Sequence, residues 1–241
     1  MYRRLLLSLL LILSFFSLAV NARKERRSVV RMETTMGTIR VALLDEAPIH
    51  RDNFLKLVES GHYDGTLFHR VINEFMIQGG ATDSREAKAG QLVGEGDVPY
   101  TLPAEFLLPD WYHISGVLAA ARQPDELNPE QRSSGSQFYI VTGKKFGLGS
   151  IKKMRASLAE KGIEMTSQMM DDYQQYGGAP HLDGSYTVFG EVIEGMEVAL
   201  KIQTVPTDPN DRPLEDVVVN RMVVEQRSKE AVKSQKAQRK P

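Results

Sequence analysis

The sequence predicts a mainly β fold, built as a closed barrel or a sandwich. Three observations predict it: about eight short apolar runs with strand character, Gly- or Pro-containing loops between them, and few helical patterns. With 41% hydrophobic and 25% charged residues among 241, the chain has the composition of a globular protein with a sizeable core.

The elements follow in order. VVRMET and TIRVALL flank the turn residues Met36-Gly37 and read as a hairpin. After Pro48, HRDNFLKLVESG places Phe54, Leu55 and Val58 at helical spacing and stops at Gly61. TLFHRV, FMIQG, GVLAAA, QFYIVT, YTVFGEV and VVVNRMVVEQ are the further strand runs. A second helix is predicted over 195–203, with Met196, Val198, Ala199, Leu200 and Ile202 on its apolar face. Two helices suit the two open ends of a barrel.

One segment breaks the β rhythm. Residues of about 147–176 have helical composition, interrupted by Gly162. Thr166 is placed to cap the second half, where Met169, Met170, Tyr173 and Tyr176 recur at helical spacing. The segment is too small for a core of its own and reads as an insertion. Its Met and aromatic side chains either pack it onto the barrel, the favoured reading, or present an adaptable surface to unfolded clients. On the client-surface reading, excising 147–176 spares activity on a short peptide and weakens action on a protein.

The termini carry separate signals. MYRRLLLSLLLILSFFSLAVNA has two arginines, an apolar run from Leu5 to Val20 and small residues near Ala22, the order of a secretory signal peptide over residues 1–22. The run is short for a spanning helix, which needs about 20 residues; an uncleaved anchor is the alternative. Removing it takes the net charge from −1 to −3. Residues 23–28 read as a flexible leader, 29–226 as one domain, and 227–241, basic and without an apolar cluster, as a disordered solvated tail.

Several chemistries are excluded. The chain has no Cys, so thiol nucleophiles, thiolate metal sites and disulfides are absent. The five His show no HxH or HExxH spacing, and no metal or other cofactor is expected. The near-neutral charge argues against nucleic acid as a partner. Ser150-Ile-Lys-Lys153 matches SxxK, but its partner motifs SDN and KTG are missing, and a solvated helix start explains it better.

FHRVINEFMIQGG, residues 68–80, poses the sharper question. Arg70 and Gln78 stand in strand runs where a half-buried strand carries carbon, Arg70 on the alternation side of Phe68 and Ile72, Gln78 on that of Met76. Gln137 and Tyr139 form a similar pair in SQFYIVT. Buried without partners, such groups cost a few kcal/mol. Either Arg70 and Gln78 pair with one another or with backbone inside the wall, or they face a groove.

FHRVINEFMIQGG, with SQFYIVTG, LDGSYTVFGEV, GVLAAAR and METTMGTIRVALLDEAPIHRDNFLKLVESGHYDGTLFHRV, resembles the cyclophilin family of peptidyl-prolyl cis-trans isomerases over about 29–226. The resemblance implies an eight-stranded antiparallel closed barrel capped by two helices, here with the helical insertion. It implies rotation about X-Pro bonds as the activity, and proline-containing peptides and folding proteins as partners. By position the family's catalytic arginine falls on Arg70. Its proline pocket falls on Phe75, Met76, Tyr139 and Leu182, and its substrate-backbone contacts on Gln78, Gln137 and Ala121, which Arg122 follows as in many bacterial members.

Four positions depart from the common pattern. His181 replaces a tryptophan that contributes to cyclosporin binding in the family, so weak cyclosporin binding is expected. Tyr186 replaces a pocket-edge histidine, Tyr139 a phenylalanine, and Ala81 an aspartate. The Tyr139 hydroxyl needs water or a partner. With the export signal, the reading is an isomerase assisting folding of exported proteins in a periplasm or cell envelope. The alternative is a non-catalytic, cyclophilin-like module that grips Pro-containing segments.

Overall fold

The computed structural model describes residues 27–238; the expected signal peptide lies outside them. The hairpin forms as patterned, β1 (Val29–Thr34) against β2 (Gly37–Leu43), with Val30 opposite Val41 and Met32 opposite Ile39. These four side chains are fully buried, the inward half of a period-2 pattern. Thr34 closes the turn by donating its hydroxyl to the Gly37 carbonyl at 2.7 Å.

Five of the later runs pair where the pattern puts them: β4 (Met76–Gly79), β6 (Val117–Ala120), β8 (Phe138–Val141), β9 (Val188–Glu194) and β10 (Val219–Gln226). With β3 (Arg70–Ile72) they join the hairpin in one antiparallel sheet, ordered β10-β1-β2-β9-β6-β8-β4-β3. A small separate ladder links β5 (Thr101–Leu102) and β7 (Ser133–Ser134).

Helix α1 (Pro48–Glu59) starts with proline at its first turn, where the missing N–H costs nothing, and ends at Ser60-Gly61. It inserts Phe54 among the rings of Tyr63, Phe138 and Phe189, with centroids 5.1–5.6 Å away. Burial of one such ring contributes roughly 1.5–3 kcal/mol. The insertion contains α2 (Leu148–Glu160) and α3 (Ser167–Gln175), broken at Gly162 with φ +76°. The Thr166 side chain caps α3 by accepting from the Met169 N–H. Helix α4 (Met196–Ile202) follows Gly195 as expected, and α5 (Lys229–Gln238) ends the described chain.

Five expectations change. The barrel is not closed: β3 and β10 are the ends of the sheet, which forms a half-barrel. Near the two ends the chain is linked by the isolated Leu67–Val218 bridge and by single bonds such as Phe68 N–H to Val217 O, 2.9 Å, and Met222 N–H to Asp64 Oδ1, 2.9 Å. The reason lies in TLFHRV, which is not one strand. Phe68 and His69 leave the ladder, so Phe68 turns into the core beside Phe138 while Arg70 faces out, and the expected shared side of Phe68 and Arg70 does not hold.

The leader ends earlier than expected. Ser28 is buried and its carbonyl accepts from the Leu43 N–H. The tail is a helix as far as Gln238, not a solvated coil. Ala231 is buried, Ser228 Oγ donates to Asp45 Oδ1 at 2.6 Å, and Arg51 Nη2 of α1 donates to Ser234 Oγ at 3.2 Å. Among the described residues, one small side chain and two hydroxyls make these contacts. Finally, the insertion does have a small core, Ile151, Leu158, Met165, Met169 and Tyr173, all buried. Ser150 is exposed in the first turn of α2.

Candidate active site

The sheet aligns the site across four strands. Arg70 of β3 is opposite Gln78 of β4, Gln78 is opposite Tyr139 of β8, and Tyr139 is opposite Ala119 of β6. Directly paired residues share a face, so this row lies on the face opposite Ile77, Ile140 and Leu118, with Tyr139 and Ala119 buried and Arg70 and Gln78 part-exposed. Gly80 ends β4 with φ +89°; a Cβ there would stand 2.3 Å from the Ser136 carbonyl. That close approach seats the β7–β8 loop, and with it Gln137, beside Gln78.

A cavity of about 150 Å³ opens on this face, lined by Arg70, Phe75, Met76, Gln78, Ala121, Arg122, Tyr139, Leu182 and Tyr186. Nine of the eleven expected residues therefore meet. Of the other two, Gln137 is one hydrogen bond away: Gln78 Nε2 donates to Gln137 Oε1 at 2.9 Å. Gln137 Nε2 in turn donates to the Gly94 and Gly96 carbonyls, at 2.9 and 3.0 Å. His181 stands at the rim, its ring 5.2 Å from that of Phe75. Desolvation holds its pKa below the ordinary imidazole value.

Arg70 is half-exposed, its Nη1 3.5 Å from Gln78 Oε1 and its Nε donating to Asp211 Oδ2 at 3.3 Å. It is neither buried in a wall nor paired away inside one; the groove alternative is the one that forms. Arg122 is held from the other side. Its Nε donates to the Ser185 carbonyl at 2.7 Å, and its guanidinium lies 4.5 Å over the Tyr186 ring. The site thus joins an apolar floor to a fixed cation and a chain of amides. Such a cleft receives a small apolar ring and offers donors and acceptors to the backbone on either side.

A family described as cyclophilin type peptidyl-prolyl cis-trans isomerase/CLD matches residues 29–224. This chain belongs to the cyclophilin family. A Staphylococcus aureus protein named as a peptidyl-prolyl cis-trans isomerase is 35% identical over 198 residues, covering 82% of this chain and 91% of that protein. A Staphylococcus epidermidis protein of the same name is 34% identical over the same shares. A crystal structure of a Cryptosporidium parvum cyclophilin type peptidyl-prolyl cis-trans isomerase has a TM-score of 0.58 at 24% identity, covering 83% of this chain and 98% of that one. A second crystal structure, of that protein in the presence of the dipeptide Ala-Pro, has a TM-score of 0.56 at 25% identity, covering 82% and 99%.

In this cyclophilin the Tyr139 hydroxyl has its partner: His113 Nε2, 3.0 Å away and buried. Sequence reasoning flagged the need but not the residue, since His113 is remote from every quoted site position but GVLAAAR. It missed Asp211 as well, which is 141 residues from Arg70. No local pattern marks either contact.

Proposed function

We propose that this prolyl isomerase acts on exported chains as they fold, and that Arg70 is its catalytic residue. An X-Pro bond resists rotation by about 18–20 kcal/mol, because resonance gives the C–N bond double-bond character. No covalent bond has to break, so the task is to stabilise the twisted amide more than either planar form. Twisting returns a lone pair to the proline nitrogen. A permanently charged guanidinium with several donors can hydrogen-bond to it. The floor of Phe75, Met76, Tyr139 and Leu182 takes the ring, while Gln78, Gln137 and the Ala121 backbone keep one side of the substrate still. An acceleration of about 10⁵ requires roughly 7 kcal/mol, within the range of preorganised electrostatics.

The observation that carries the reading is Arg70 lining the same cavity as Phe75, Met76 and Leu182. The export signal over 1–22 and the lack of Cys support the cellular setting: a periplasm or cell envelope, with folding exported proteins as clients.

Exchange spectroscopy on a short X-Pro peptide tests the chemistry, with residues 23–241 and Arg70→Ala in parallel. The parent should accelerate exchange, and Arg70→Ala should lose at least about tenfold, as expected for loss of a group acting in the transition state. A parent that binds the peptide without accelerating exchange would make this half-barrel a proline-segment reader. The setting is tested by cell fractionation and the mass of the mature chain: a cytosolic full-length protein refutes export.

A further inference from the structure

The insertion is wired to the floor of the proline pocket. Tyr173 of α3 donates its hydroxyl to Asp183 Oδ2 at 2.6 Å. Asp183 Oδ1 accepts from both the backbone N–H and the ring Nδ1 of His113, each at 2.9 Å. The other ring nitrogen of His113, Nε2, meets the Tyr139 hydroxyl at 3.0 Å. All four residues are at most 4% exposed.

The polarity of this chain follows from the carboxylate. An ionised Asp183 only accepts, so His113 Nδ1 carries a proton. In a neutral ring Nε2 is then bare and accepts a hydrogen bond from the Tyr139 hydroxyl. Burial, with Asp183 nearby, pushes the Tyr173 phenol well above its ordinary pKa; burial does the same for Tyr139, so both stay O–H groups. The Tyr139 ring lies nearly parallel to His113, and Tyr186 at the pocket edge packs edge-on against both. Backbone contacts just after the insertion hold the chain at the same point. Ala179 N–H donates to the His113 carbonyl at 2.8 Å, and a Cβ on Gly178 would stand 2.2 Å from that oxygen.

We propose that the insertion is a positioning element for the isomerase site, with Tyr173 acting on Tyr139 through Asp183 and His113. This rests on the isomerase reading. It replaces the expectation that excising 147–176 would spare peptide activity, because the excision removes the Tyr173 hydroxyl and leaves one Asp183 oxygen buried without its donor. Met169 and Tyr173, at zero exposure, are packing residues and not a client surface.

A double-mutant cycle of Tyr173→Phe and Tyr139→Phe tests it, since each change deletes one hydroxyl and keeps the ring. In the parent, Tyr173→Phe should lower kcat/KM about three- to tenfold, chiefly through KM, the size of a buried hydrogen bond. In the Tyr139→Phe background the same change should cost less than about twofold, because the link to the floor is already cut. An equal factor in both backgrounds, or none in the parent, overturns the proposal. Peptide Kd across the four proteins reads the coupling even if the parent proves inactive, so a failure of the isomerase reading and a failure of the coupling are distinguishable. Should a variant not fold, the ring ¹⁵N shifts of His113 in the parent decide. A bare Nε2 supports the relay, and a protonated Nε2 overturns it.

Discussion

The carboxylate of Asp211 stands 3.3 Å from the Nε of Arg70, while the Nη1 of the same guanidinium reaches Gln78. Asp211 adopts φ +64°, and its carbonyl accepts from the Val71 N–H at 2.8 Å, so its own loop and β3 hold it in place. Asp208 braces that loop by accepting from the Asn210 and Arg212 N–H groups.

Loss of this carboxylate should free Arg70 without unfolding the chain. Both side chains are more than 40% exposed, and an ion pair so screened adds less than about 1 kcal/mol of stability. Asp211→Ala should therefore lower kcat/KM about three- to tenfold, the cost of a misplaced charged group, at a nearly unchanged Tm. Asp211→Asn, which keeps an acceptor, should restore most of the rate. A large fall in Tm with unaltered kcat/KM would make the contact structural.

His181 predicts the inhibitor profile. Its ring lies 5.2 Å from that of Phe75, at the position to which the resemblance assigns a cyclosporin-contacting tryptophan. His181→Trp should tighten cyclosporin at least about tenfold, on the scale of one aromatic contact in a binding hot spot, as read by competition against a peptide. An unchanged Kd would show that residue 181 does not set cyclosporin affinity.

His69, the neighbour of Arg70, predicts acid sensitivity. Desolvation holds its pKa down at about 4 in the folded chain, against 6.5 for the free side chain. Between those values the unfolded state binds the extra proton, so stability is full above about pH 6.5 and falls as pH drops toward 4. The span corresponds to roughly 3 kcal/mol at most. Urea denaturation from pH 7.5 to 4 should show this slope, and His69→Gln should flatten it. An equal slope in both proteins would assign the acid loss to other groups.

Much of the fold was legible in residue pattern. Period 2 marked β1 and β2, and Pro48 with Gly61 bracketed α1. Thr166 announced the cap of α3, and Gly195 with the apolar face after it announced α4. Each of these is a local steric or hydrogen-bonding rule acting over a few residues. The resemblance located the cavity-lining residues for the same reason: they lie in motifs that can be read along the chain.

What local rules did not reach was decided by distance in space. Alternation placed Phe68 and Arg70 on one side, yet the chain leaves the ladder before β3, one ring enters the core and the guanidinium leaves it. The tail carried no apolar signal, and docks through Ser228, Ala231 and the Ser234 hydroxyl because Asp45 and Arg51 already waited on α1 and the turn before it. By itself the sequence determined most of the strands, helices α1 to α4, the family and, through the resemblance, the cavity-lining residues, because those follow from short-range periodicity and contiguous motifs. Only the tertiary structure decided the open half-barrel, the partner of Arg70 and the Tyr173–Asp183–His113–Tyr139 chain. Those depend on which buried polar groups, far apart along the chain, are left to satisfy one another once the apolar faces have packed.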